Sequence, residues 1–233
     1  MGRFDTTRWS VVLQARGDPA DARAALETLC RIYRPPVLAY VRSHVHARDA
    51  AEDLTQAFFA RFLEHAWHAD ADPERGRFRS FLLTALKRFL IDANAEAGAQ
   101  KRGGGYRFES LDEEASDAPV DDDSPERTFE REWAQAVLGA ALARLRHEAE
   151  EAGKLAMFDR LSEFLVEAPD EDDYARAAED LQLRRNTLAV AVHRLRHRLR
   201  ELVRAELAET TAGRDDMDSE LRALRGALGP ASH

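Results

Sequence analysis

Arg184, Arg185, Asn186, Thr187, Val190 and Arg194 fall within eleven consecutive positions near the C-terminal third of the chain. Their side-chain types are those that read nucleic-acid bases. Arginine pairs bidentately with guanine and asparagine with adenine, each worth roughly 1–3 kcal/mol of discrimination. Leu188, Val192, Leu195, Leu199 and Leu202 recur among them at helical spacing, so the leucines and valine pack inward and leave the polar group on the outer face. Residues at the start of such a helix suit base edges, and later arginines suit phosphates. For Arg196, Arg198 and Arg200, phosphate contact and a merely solvated basic face remain equal alternatives.

The elements that must position this group lie just before it. Tyr174 to Leu181 is a short alanine-rich helix followed by a tight turn, and Arg184 to Arg204 carries seven arginines and two histidines. Two helices so joined suit a helix-turn-helix, whose second helix enters a major groove. The concentration of base is notable because the whole chain of 233 residues has a net charge of −9. An acidic surface repels phosphate, which excludes indiscriminate nucleic-acid binding. Residues 109–123 hold eight acids and no base.

Composition narrows the class further. No run approaches the roughly 18–20 apolar residues of a membrane span, and the N-terminus lacks the pattern of a signal peptide. Cys30 is the only cysteine, so neither an internal disulfide nor a cysteine-based zinc site is available. A soluble protein of the reducing cytoplasm is expected. His44 and His46 are two apart, a poor spacing for metal ligands on a helix. Gly103-Gly-Gly105 lacks the Lys-Ser/Thr of a phosphate loop. No nucleophile and base can be placed in one pocket, so no enzyme, cofactor or metal is expected.

Helical periodicity organises the rest, and no convincing strand is present. Ala22, Ala25, Leu26, Leu29, Cys30 and Tyr33 mark one helix that Pro35-Pro36 should break or kink before a second one through Val41. Leu54, Phe58, Phe59, Phe62 and Leu63 form the apolar stripe of the next. Phe78, Phe81, Leu82, Ala85, Phe89 and Leu90 form that of a helix from Phe78 to about Ala95. The segment 103–123 is glycine-rich, then acidic, and reads as a linker. Ser124-Pro125 is a cap and first turn, opening a helix with Phe129, Trp133, Val137, Ala141 and Leu145 inside. A further helix is expected from about Ala152 to Val166. Met217, Leu221, Leu224 and Leu228 outline a short amphipathic helix, too short to be stable unless it docks.

In order and spacing, three motifs in this chain resemble a bacterial RNA polymerase sigma factor of the extracytoplasmic-function type. They are Asp49-Ala-Ala-Glu-Asp-Leu-Thr-Gln, Phe78-Arg-Ser-Phe-Leu-Leu-Thr-Ala-Leu-Lys-Arg-Phe-Leu-Ile-Asp, and Tyr174 to Arg200. The resemblance implies an all-α chain of two small helical domains. These are a region 2-like bundle at 20–102 and a region 4-like helix-turn-helix domain at 124–205, joined by the linker at 103–123. Residues 1–19, including Trp9, and 206–233 extend beyond the shared core.

The resemblance also implies roles. Asp49, Glu52, Asp53 and Gln56 would grip core RNA polymerase at its beta-prime clamp, although periodicity alone reads them as a solvated helix face. Lys87, Arg88, Asn94, Lys101 and Arg102 would hold the melted −10 strand, which needs cations for phosphates and a pocket for an unstacked base. Arg184, Arg185, Asn186, Thr187, Val190 and Arg194 would read the −35 element. Promoter DNA and core RNA polymerase are then the partners, with an anti-sigma factor or the C-terminal extension itself as a regulator.

Three departures stand out. After Asp92 the family's run of arginines is replaced by Ala-Asn-Ala-Glu-Ala-Gly-Ala-Gln. Leu181-Gln182-Leu183 replaces the commoner Leu-Gly-Ile of the turn, so Gln182 is expected to take a left-handed backbone at some cost. Ala189 stands where the family often has lysine. The rival readings are a helix-turn-helix regulator that binds duplex DNA without core polymerase, and a helical adaptor that binds polymerase without reading DNA.

Overall fold

The computed structural model describes residues 19–45, 47–64, 78–99, 124–165, 169–208 and 214–229. The expected acidic linker, Lys101, Arg102, His46 and Trp9 lie outside the described residues. The fold is all-α. Eight helices are present among the described residues: α1 (Pro19–Arg42), α2 (Arg48–Glu64), α3 (Phe78–Ala99), α4 (Pro125–Glu151), α5 (Leu155–Leu161), α6 (Glu171–Asp180), α7 (Arg185–Ala208) and α8 (Arg214–Leu228). A 3₁₀ turn at Ser162–Leu165 follows α5.

The chain divides into two compact units, one of Met1–Ala136 with Leu207–His233 and the other of Val137–Glu206. The first turns of α4 and the whole of α8 are thus grouped with the N-terminal helices.

The first unit is built on an aromatic core. Tyr33 meets Phe78 edge-on at 5.0 Å, and Phe58 meets Phe89 at 5.6 Å. Tyr40 packs against Phe129 of α4 at 6.5 Å. Edge-to-face pairs of this kind add stabilisation beyond the area they bury. The expected break at Pro35-Pro36 does not occur, because α1 runs through both prolines. Each proline forfeits a backbone hydrogen bond, and an interior proline costs about 3 kcal/mol. Ile32, Tyr33, Val37, Leu38, Tyr40 and Val41, on both sides of the prolines, are all buried in this core. Burial of six such side chains, at roughly 1.5–3 kcal/mol each, outweighs that cost.

In the second unit, Leu161, Phe164, Ala177, Leu188 and Val192 form the core, with Met157, Tyr174, Leu181 and Leu195 packed around it. The start of α4 matches its sequence signal: the amide of Arg127 donates to Ser124 Oγ at 3.2 Å, with Pro125 as the first helical residue. The helix expected from Ala152 begins instead at Leu155. Gly153 takes φ 67°, and the amide of Lys154 donates back to the Ala149 carbonyl at 2.8 Å. A glycine in the left-handed region with this bond terminates a helix, so α4 ends where α5 was expected to start.

The C-terminal amphipathic segment forms a helix and docks within the first unit. Leu224 is buried and Glu220 is 3% exposed. Glu220 lies 3.6 Å from Arg79 of α3.

Candidate nucleic-acid interface

In the second unit, α6 and α7 are held at a fixed turn. Asp170 caps α6 by accepting from the Asp173 amide at 2.8 Å, while the Asp173 carboxylate accepts from the Asp170 amide at 3.0 Å. This reciprocal box satisfies two donors that a helix start leaves open. At the other end, Leu183 donates its amide to Ala178 and Gln182 donates to Glu179. Gln182 sits between them at φ 53°, and it is the one non-glycine residue with positive φ among those described. The expected left-handed turn therefore forms, with glutamine bearing the strain that glycine would avoid.

Beyond that turn, Arg184, Arg185, Asn186, Thr187, Val190 and Arg194 are all exposed. Val190 is one of three large apolar residues with substantial exposure among the described residues. Arg185 donates to the Glu171 carbonyl at 3.3 Å, which ties the start of α7 to the start of α6 yet leaves its side chain 54% exposed. Leu188, Val192, Leu199 and Leu202 are buried and Leu195 is half-buried, as their spacing predicts.

The later arginines divide in a way the sequence did not separate. Arg196 donates through Nε and a terminal nitrogen to the Phe164 carbonyl, at 2.9 and 2.6 Å. Arg198 makes two bonds to Glu148 at 2.8 Å and one to Glu201 at 2.7 Å. These bonds, to Glu148 first, push its guanidinium further above the ordinary value. Arg196 thus fastens α7 to the end of the 3₁₀ turn, and Arg198 fastens it to α4. Arg200 is exposed.

In the first unit, Asp49, Glu52, Asp53 and Gln56 lie on one face of α2 at positions i, i+3, i+4 and i+7. Asp49, Asp53 and Gln56 are exposed. Glu52 is engaged by two arginines of α1, Arg34 at 2.6 Å and Arg42 at 3.0 Å. The opposite face buries Ala51, Leu54, Thr55, Phe58 and Phe62. Thr55, whose hydroxyl donates to the Ala51 carbonyl, is a polar residue within that core.

On α3, Arg88 and Asn94 are exposed and Lys87 is half-buried. Lys87 Nζ lies 2.6 Å from Glu126 in the first turn of α4. Burial pushes the Glu126 carboxyl up, but the hydrogen bond and charge of Lys87 overcome it and leave the carboxyl below the usual range. The same carboxylate accepts from the Tyr40 hydroxyl at 3.5 Å. Burial and then the Glu126 charge raise the Tyr40 phenol above its ordinary value. Glu96 pairs with Arg61 of α2 at 3.8 Å.

A charged group that motif reasoning passed over sits beneath this face. Arg79 is 4% exposed and pairs with both Glu130 of α4 and Glu220 of α8. Its guanidinium lies 4.1 Å from the centre of the Trp133 ring, close enough for a cation–π contact. The available signal was an arginine inside the apolar run Phe78–Leu82, paired with glutamates at 126 and 130 flanking Phe129. His44 is also buried, with its Nδ1 2.8 Å from the Tyr40 carbonyl. Among the described residues no three potential metal ligands converge, and no described helix is long and apolar enough to cross a membrane.

Residues 29–98, which span the latter part of α1, all of α2 and nearly all of α3, match the family model of sigma-70 region 2. The match is to that one region and covers less than half of the chain, all of it within the first unit. No curated protein and no solved structure matches the chain.

Proposed function

We propose that this chain is a promoter-specificity subunit of the extracytoplasmic-function type, which binds core RNA polymerase and directs it to −35 and −10 elements. The observation that carries this reading is the coexistence of two features in one chain: a region 2 match over α1–α3 and, in the other unit, a helix–turn–helix with an exposed Arg-Arg-Asn-Thr start. A duplex-binding regulator would account for the second feature and leave the first without a use.

In this reading the face of Asp49, Glu52, Asp53 and Gln56 meets the beta-prime clamp, with Glu52 oriented by Arg34 and Arg42. Lys87, Arg88 and Asn94, with Lys101 and Arg102 beyond, serve the melted −10 strand. Arg184, Arg185, Asn186, Thr187, Val190 and Arg194 serve the −35 duplex. The short capping box and the Gln182 turn support it by fixing the start of α7, where base readout is most effective. All of this is binding work, and phosphodiester chemistry belongs to the polymerase.

Run-off transcription with purified core RNA polymerase on genomic fragments tests the reading. Specific transcripts should require both the chain and core enzyme. Arg184→Ala combined with Arg185→Ala should lower transcription from those promoters about 30-fold or more, as expected for losing two contacts worth roughly 1–3 kcal/mol each. Specific duplex binding by the chain alone, with no stimulation of core enzyme, would establish the regulator instead.

A further inference from the structure

We propose that Glu126 is an intramolecular competitor for the strand-binding cation Lys87, so that it tempers how tightly α3 holds single-stranded DNA. The inference rests on the −10 role proposed for α3 and adds to it a specificity-setting residue from a different helix.

The geometry is that of an occupied site. The Glu126 carboxylate stands 2.6 Å from Lys87 Nζ, the distance a phosphate oxygen would take. A lysine ammonium is a compact point charge, and a carboxylate in contact with it offsets the attraction it exerts on a strand. Glu126 side chain is 36% exposed and that of Lys87 is 43% exposed, so solvent and phosphate both reach the pair.

The rest of that helix turn is fixed. Phe129 and Trp133 are fully buried, and Glu130 holds Arg79 from the same face of α4. As residue numbers rise from Arg79 to Lys87 on α3, their partners fall from Glu130 to Glu126 on α4. The two helices therefore run in opposite senses, and the deep Arg79 contact sets the register that delivers Glu126 to Lys87. Glu220 of α8 reaches the same arginine, so the C-terminal helix supports the arrangement.

An exposed ion pair of this kind is weak, typically within about 1 kcal/mol. It is therefore exchangeable for phosphate while the helix beneath it stays in place. Tyr40 reaches the same carboxylate through its hydroxyl, and His44, just past the end of α1, packs on the Tyr40 ring at 4.6 Å. The family's arginine run is missing just beyond, which makes Lys87 a larger share of the cationic surface that α3 offers.

The test uses the full-length chain and a short, mixed-sequence, fluorescein-labelled single strand, followed by anisotropy over a range of salt. Glu126→Gln should tighten binding about 3- to 10-fold at low salt. It should also steepen the salt dependence by about 0.7 in log–log slope, the increment for one further phosphate contact on a single strand. In a Lys87→Met background the same change should have no effect, since a double-mutant cycle isolates the pair. No tightening, or equal tightening with and without Lys87, overturns the proposal. Should Glu126→Gln unfold the first unit, Glu126→Asp, which withdraws the carboxylate from reach, is expected to give the same gain. Arg88→Ala separates the two levels: if it leaves strand binding unchanged, the −10 role of α3 fails; if it weakens binding while Glu126→Gln has no effect, only the competitor role fails.

Discussion

Lys87 and Arg184 are both cations that the sequence offers to DNA, yet the two units treat them differently. In the first unit the basic side of α3 is already met by protein carboxylates, Glu126 on Lys87 and Glu130 with Glu220 on Arg79. In the second unit the start of α7 is exposed, with Arg185 held only loosely by Glu171 of α6, and the closer internal pairing falls at Arg196 and Arg198. Counting arginines from Arg184 to Arg204 would give all seven the same standing. The structure leaves the two at the turn exposed, Arg185 with one contact to Glu171, and assigns two further along to the fold. Net charge therefore reports the long-range field, while availability for a phosphate depends on which carboxylates and carbonyls arrive from other helices.

The sharpest way to break this contrast is at Arg79. Arg79→Ala should destabilise the first unit by about 3–5 kcal/mol, because it leaves Glu130 and the buried Glu220 without their counter-charge. Urea unfolding would show the loss, and a change below about 1 kcal/mol would mean the cluster is not a structural clamp.

The next effect lies in the second unit and sorts its arginines. Arg196→Ala should cost about 1–2 kcal/mol, since it removes charge-assisted bonds to the Phe164 carbonyl at a partly exposed site. Arg198→Ala should cost less than about 1 kcal/mol, because its bonds to Glu148 and Glu201 lie in solvent. Thermal melts of the two variants under one buffer check the order, and the reverse order would mean that the Phe164 carbonyl bond contributes little.

The smallest effect sharpens the turn itself. Gln182→Gly should stabilise the second unit by about 0.5–1 kcal/mol. Relief of the left-handed strain exceeds the entropy that glycine adds to the unfolded chain. A melt that is unchanged or lower would show that the Gln182 side chain contributes more than its backbone costs.

Much of this molecule is legible along the chain because helices write their inward faces at a fixed period. Leu54, Phe58 and Phe62 of α2, and Leu188, Val192 and Leu199 of α7, are buried where spacing puts them. Caps and turns are equally local, and Ser124, Asp170 and Gln182 each carry their geometry in a few neighbouring residues. The prolines of α1 misled for a related reason. Propensity is a local quantity, and there it was overruled by burial of the residues on either side of Pro35 and Pro36.

The sequence by itself determined the helical class, the inward faces, the turn before Arg184 and the candidate polar faces of α2, α3 and α7. Each of those follows from contacts within a few residues. Only the tertiary structure decided that Arg79 is buried, that Lys87 faces Glu126, that Arg196 serves the fold, and that α8 docks within the first unit. Those outcomes join residues 32 to 141 positions apart. A pairing over such distances is selected by which packed surfaces bring the charges together, and no period or cap in the chain encodes that choice.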